Sequence, residues 1–279
     1  MPHLTLPDGR TLDYAIDGAQ TGFPFVFIHG TPGSVNSTLP SLKSLCKQKG
    51  LKIISMSRAG YGDSSRHAGR AVIDNVADVK ALLEHLGVAT CVAGGWSGGG
   101  PHVLALAAKL PGVKAALCVA GVAPADAPDL DFLAGQGQDN VDEFTAASAG
   151  EVELRKFLDP QREALLQADA AGVTKEMSSI LPEVDKQAML KNAELGQSIV
   201  DGFQEALKHG VDGWCDDDLE FTKHGALTWP RSSHGQWLAK HLPQEKLRKH
   251  LVQGEGHISI FLEYVNTMID ELLEVVRAY

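Results

Sequence analysis

Residues 90–110 read TCVAGGWSGGGPHVLALAAKL. The stretch opens on a short apolar run, Cys91, Val92 and Ala93, and turns through Gly94-Gly95-Trp96-Ser97-Gly98-Gly99. It continues with Val103, Leu104, Leu106, Ala107 and Leu110 at helical spacing. The pattern is strand, sharp turn, helix, with Ser97 at the apex. A turn this tight forces strained backbone angles on the serine, and Gly95 and Gly99, two positions either side, leave room where side chains would collide. The strain lifts the hydroxyl out of the sheet and sets it beside the N–H groups that open the helix. Those donors and the helix dipole stabilise an oxyanion. G-x-S-x-G between a strand and a helix is the pattern of a nucleophile elbow.

Upstream, Leu4 and Leu6 alternate with polar residues, as do Leu12, Tyr14 and Ile16, with Pro7-Asp8-Gly9 between them. This predicts a hairpin. Residues 23–28 and 52–56 are short apolar runs of the kind buried on both faces of a sheet. The first runs into His29-Gly30-Thr31-Pro32-Gly33, whose glycines let backbone N–H groups approach a substrate oxygen. The second is followed by Ser57-Arg58-Ala59-Gly60-Tyr61-Gly62. Helical stripes at 39–46 and 73–86 separate the strands, with Asp74 and Gly87 in capping positions. Residues 115–122 predict a further buried strand. Strands alternating with helices in this way give an α/β fold with a mostly parallel sheet.

The composition changes after Val122. Residues 124–220 hold no run that reads as a buried strand, and instead carry polar, alanine-rich helical segments at 141–149, 152–170, 174–181, 185–195 and 198–209. Pro160 and Pro182 mark breaks or first turns. The expected division is a core of residues 1–123 and 221–279 with a helical lid inserted at 124–220. Asp216-Asp217-Asp218 reads as a solvated acidic turn, with a role in binding a substrate amine as the lesser alternative. Beyond the insertion come a helix at 233–242, a mixed strand at 247–252, the loop Gly254-Glu255-Gly256-His257 and a closing amphipathic helix.

The 279 residues suffice for a large core, and the formal net charge of -10 argues against nucleic acid or an anionic membrane surface as a partner. No apolar run is long enough to span a bilayer. Cys46, Cys91, Cys118 and Cys215 lack metal-binding spacing, and Cys91 and Cys118 sit in apolar runs. They read as reduced thiols of a cytoplasmic protein. The N-terminus, MPHLTLPDGR, has no signal-peptide pattern. The expected partner is a small-molecule substrate, no metal or cofactor is called for, and the oligomeric state stays open.

A serine hydroxyl needs an adjacent base, and histidine suits that task. Among 11 histidines, His257 stands out because its glycine-rich loop follows a strand at the sheet edge where the elbow also lies. His102, in the elbow helix, reads as structural, and His29 as fixing the shape of the loop it precedes. The order HGTPGS, SRAGYGDS, GWSGGGPH, helical lid and GEGH resembles an α/β-hydrolase with a lid over essentially the whole chain. The resemblance implies a Ser-acid-His triad with Ser97 as nucleophile and His257 as base. It also implies an oxyanion hole from the N–H groups of Thr31 and Gly98. Small carboxylic esters are the expected substrates. Elbow serine rather than aspartate disfavours an epoxide hydrolase or dehalogenase. HGTPG is also similar to aminopeptidases that release N-terminal proline, and a binding protein that kept the pocket but lost the triad is a further alternative.

The resemblance breaks between the lid and His257. The family places a strand there, ending in a loop with the catalytic aspartate, and then a helix. Here only EFTKHGALTWP, residues 220–230, precedes the helix, and no Asp or Glu follows Glu220 until Glu245. A strand and its loop, about a dozen residues, are missing. Asp126, after the 115–122 strand, is the named substitute for the acid. Glu255 stands too near His257 to orient it, and the 216–218 run too far along the lid. The favoured expectation is that no acid is properly placed.

Overall fold

A computed structural model of the chain describes residues 1–125, 130–172, 181–222, 234–250 and 252–277. Six strands form one sheet: β1 His3–Thr5, β2 Thr11–Gly18, β3 Phe23–Ile28, β4 Leu51–Met56, β5 Cys91–Trp96 and β6 Val113–Val119. Their spatial order is β1-β2-β4-β3-β5-β6. The hairpin β1/β2 and the pair β2/β4 are antiparallel, and the remaining pairs are parallel.

The crossover helices are α1 Pro40–Gln48, α2 Asn75–His85 and α3 Gly99–Lys109. Gly87 lies just past the end of α2, and its left-handed φ of +66° closes the last turn at no steric cost. Side chains of β3 alternate as the strand period demands. Phe25 and Phe27 enter a core layer with Leu42 and Ile53, while Val26 and Ile28 enter a second with Val79, Val103 and Leu106. The chain leaves β3 for β4 on one side and returns to β5 on the other. The crevice at the carboxyl ends of β3 and β5 is therefore the switch point where such sheets bind ligands. Ile28 pairs with Gly95 there, which brings the His29-Gly30 and Trp96-Ser97 loops side by side.

After β6 come α4 Gln138–Ala149, α5 Glu151–Gln167, α6 Glu183–Lys191, α7 Ala193–Leu207 and α8 Asp212–Thr222. Leu154, Leu158, Leu165, Leu207 and Trp214, with Ala147, form a core shared by α4, α5, α7 and α8, which also takes in Tyr61 from the loop after β4, whereas Met189 of α6 packs with Phe25 and Leu42. Pro160 does not break the chain as expected but lies inside α5. It stands on the exposed side of the helix, where the carbonyl that its missing N–H leaves over is open to solvent. The last helices are α9 His234–His241 and α10 Ser259–Arg277. Among the described residues no helix is long and apolar enough to cross a membrane.

Two strand expectations need correction. Residues 247–250, expected as the start of a strand, have no strand structure, and among the described residues the sheet ends at β6. The predicted strand at 115–122 runs instead over Val113–Val119, and most of its residues are half-buried rather than buried. With no neighbour beyond it among the described residues, β6 is an edge, which leaves its residues partly open, and 247–250 does not pair with it. The segment 223–230, which stands where the missing strand was expected, lies outside the described residues.

Candidate active site

Ser97 adopts φ +56°, a left-handed conformation that a non-glycine residue holds only under constraint. Two hydrogen bonds fix it: Ser97 N–H donates to Val119 O at 2.9 Å, and Gly100 N–H donates to Ser97 O at 2.9 Å. The flanking glycines are required by space. A Cβ on Gly95 would come within 2.3 Å of Gly99 O, and one on Gly99 within 2.3 Å of Ile28 O. Close packing of β3, β5 and α3 leaves the serine no other position.

The loop after β3 closes over this turn. A Cβ on Gly98 would lie 3.2 Å from Thr31 N and 2.2 Å from Thr31 Oγ1, so the Gly98 and Thr31 backbones are in contact. This sets the Thr31 backbone nitrogen beside the residue that follows Ser97. His29 shapes this loop from behind. Arg58 N–H donates to His29 Nε2 at 3.0 Å, so Nε2 is the acceptor, and Nδ1–H donates to Gly30 O at 2.7 Å. Burial, with the Arg58 charge adding to it, lowers the His29 pKa well below the usual range and keeps the ring in that neutral tautomer.

His257 sits on the other side of the turn. Its ring stacks on Trp96, with centroids 5.4 Å apart, and its carbonyl accepts from Trp96 Nε1 at 3.1 Å. Burial pushes the imidazole pKa down, partly offset by the Asp185 charge. A depressed value keeps the ring uncharged at neutral pH, with one ring nitrogen able to accept a proton. The structure shows no hydrogen bond from Ser97 Oγ to this ring, and among the described residues no carboxylate bonds the ring. Asp126, the expected substitute acid, lies outside the described residues.

Asp185, on α6, was not singled out from the sequence. It is fully buried and accepts from His257 N at 2.7 Å and Ser259 N at 2.8 Å. It therefore caps α10 and pins the histidine's backbone rather than its ring. A Cβ on Gly256 would lie 2.4 Å from Asp185 Oδ1, which explains the glycine. Asp185→Ala removes two charge-assisted bonds and should cost about 3 kcal/mol. An unchanged urea midpoint would sink this account.

The acidic run is the largest correction. Asp216, Asp217 and Asp218 are not a solvated turn: all three lie in α8, each at most 2% exposed. Asp216 takes Arg66 at 2.8 Å. Asp217 pairs with Arg58 and Arg70, and accepts from Thr31 Oγ1 at 2.5 Å and Tyr61 Oη at 2.8 Å. Glu220, one turn on, pairs with Arg70, and His102 Nε2 lies 3.2 Å from it. His102, Asp217 and Glu220 are close enough to hold a metal, but the Arg70 guanidinium already bridges the two carboxylates. Arg58 also donates to His29 O, Gly30 O and Thr31 Oγ1. The α8 helix is thus bolted to the loop that carries Thr31.

Ser97, Thr31, Gly98 and His257 line one cavity of about 1630 Å³, which also runs along the outer edge of β6 past Leu104, Leu238 and Met268. A strained serine, two adjacent amides and a neutral imidazole suit nucleophilic attack on a carbonyl.

Residues 24–176 match the family model described as alpha/beta hydrolase fold, and the chain belongs to that family. It is 30% identical over 176 residues to the dihydrolipoyllysine-residue acetyltransferase component of the acetoin cleaving system of Pseudomonas putida, covering 61% of this chain and 42% of that protein. It is 25% identical over 232 residues to a proline iminopeptidase of Arabidopsis thaliana, covering 82% of this chain and 49% of that one. The chain thus spans less than half the length of both relatives. Its fold also superposes on a carboxylesterase structure from Nitrososphaera gargenis with a TM-score of 0.66, at 17% identity and over 100% of both chains.

Proposed function

We propose that the chain is a serine hydrolase of small carboxylic esters. The observation that carries this is the left-handed Ser97 with the Thr31 and Gly98 amides beside it. In this reading Ser97 Oγ attacks the ester carbonyl and His257 takes its proton. The carbonyl oxygen gains the charge and is held by the two N–H groups. The alkoxide leaves with a proton returned by His257, and water then cleaves the acyl-enzyme by the same steps. With no carboxylate partner for the His257 ring among the described residues, the reaction is slow in this reading. A neutral fluorophosphonate should label Ser97, and Ser97→Ala should stay unlabelled. Equal labelling of that variant would end the reading.

The similarity to a proline iminopeptidase favours a second reading, release of an N-terminal residue. Comparing turnover of a proline arylamide with that of a p-nitrophenyl ester separates the two. The third possibility, a binding protein without turnover, predicts tight ligand binding with no burst of product.

A further inference from the structure

We propose that Glu143 and Asp218 form a subsite for a protonated amine carried by the substrate. The proposal rests on the reading of Ser97 as the nucleophile and adds the class of molecule presented to it. Both residues line the cavity that holds Ser97 and His257. Position follows from the neighbouring residue: Asp217 touches Thr31 Oγ1 at 2.5 Å, and Asp218 is the next residue of α8. Consecutive Cα atoms are about 3.8 Å apart, so Asp218 stands within a small substrate's length of the Thr31 amide.

Charge separates this pair from its neighbours. Asp216 has Arg66, Asp217 has Arg58 and Arg70, and Glu220 has Arg70. Among the described residues no Lys, Arg or His pairs with Glu143 or Asp218. Burial and then the Glu143 charge instead raise the Asp218 pKa, and Glu143 accepts from Trp214 Nε1. Asp218 is 1% exposed, and its Oδ2 has no partner. Unpaired buried acceptors are costly, and cores rarely keep them without a use. Burial and mutual repulsion raise both carboxyls, Asp218 well above the usual range, so the empty pair retains a proton. An ammonium group supplies the missing donors and the missing positive charge together. Phe144 and Phe221, packed in one apolar cluster, also line the cavity. A metal ion fits less well, because the described clusters able to supply three ligands do not include these two residues.

The test is protection of Ser97 from a neutral fluorophosphonate, using the full chain with benzylamine or its neutral counterpart benzyl alcohol as competitor. Benzylamine should protect at a concentration at least about 10-fold lower than benzyl alcohol. Asp218→Asn and Glu143→Gln should each bring that ratio close to one, whatever their own labelling rates. Equal protection by both competitors in the unaltered chain overturns the subsite and leaves the nucleophile standing. Stronger protection by calcium than by benzylamine also overturns it. If Ser97 is not labelled at all, the nucleophile reading falls and calorimetry decides the subsite. Saturable benzylamine binding that Asp218→Asn or Glu143→Gln removes supports it, and no binding overturns it.

Discussion

Ester turnover should rise about 10⁴-fold when a β-strand and an aspartate-bearing loop are inserted ahead of Pro230, the factor lost when a triad's acid no longer orients its histidine. The proposed base, His257, is placed but not oriented: it is held by its backbone through Asp185 and by stacking on Trp96, while no described carboxylate bonds its ring. Among the described residues the sheet stops at β6, whose residues are mostly half-buried, and the cavity follows that edge between Leu104 and Met268. A strand added about 4.8 Å from β6 satisfies that edge and covers the apolar wall. The assay is p-nitrophenyl ester hydrolysis by the chain before and after insertion. Rapid turnover by the chain without the insertion would defeat the claim of a missing acid. Asp126→Asn then becomes the informative variant, since a large loss would identify Asp126 as the third member.

Asp217→Ala should cost about 3–5 kcal/mol, because it leaves the Arg58 and Arg70 guanidiniums buried without their common counter-charge. The same substitution removes the acceptor of the Thr31 hydroxyl and leaves it only its contact with Arg58, so fluorophosphonate labelling of Ser97 should slow even under conditions where the variant is folded. The pH dependence has a defined sign. Despite its burial, the Arg58 and Arg70 charges hold the Asp217 carboxyl well below its usual value of 3.8. A depressed carboxyl contributes stability in full above that value and loses it as pH falls through the range beneath. Asp217→Asn should therefore flatten the acid limb of the stability curve below about pH 4. Asp218 acts oppositely: with a raised pKa, its contribution declines as pH climbs from 3.8 towards the folded value. Urea titrations across pH measure both. An Asp217→Ala midpoint equal to that of the unaltered chain would refute the account.

The elbow, the hairpin and the alternation of strands with helices were legible in the sequence because each is local. Strand period, helix period and glycine placement are properties of a few consecutive residues, and Gly95-x-Ser97-x-Gly99 states its own packing requirement. The acidic run was misread for the opposite reason. Three adjacent aspartates look solvated in a list of residues, but about 100° of helical rotation separates one from the next. That rotation sends Asp216 to Arg66, Asp217 to Arg58 and Arg70, and Asp218 to Glu143. Arginines about 150 positions away carry no local mark of these pairings. Asp185 escaped notice likewise, since its partners are backbone N–H groups, which every sequence contains. The strand expected at 247–252 had suitable residues, yet residues 247–250 do not pair with the edge of β6. A strand's hydrogen bonds go to another strand, so its existence is decided in the sheet and not in the segment. Sequence alone thus settled the elements whose interactions close within a turn or two. The assembly of the pocket from β3, β5, α4 and α8 was decided by tertiary structure, because buried charge is stable only where distant partners converge on it.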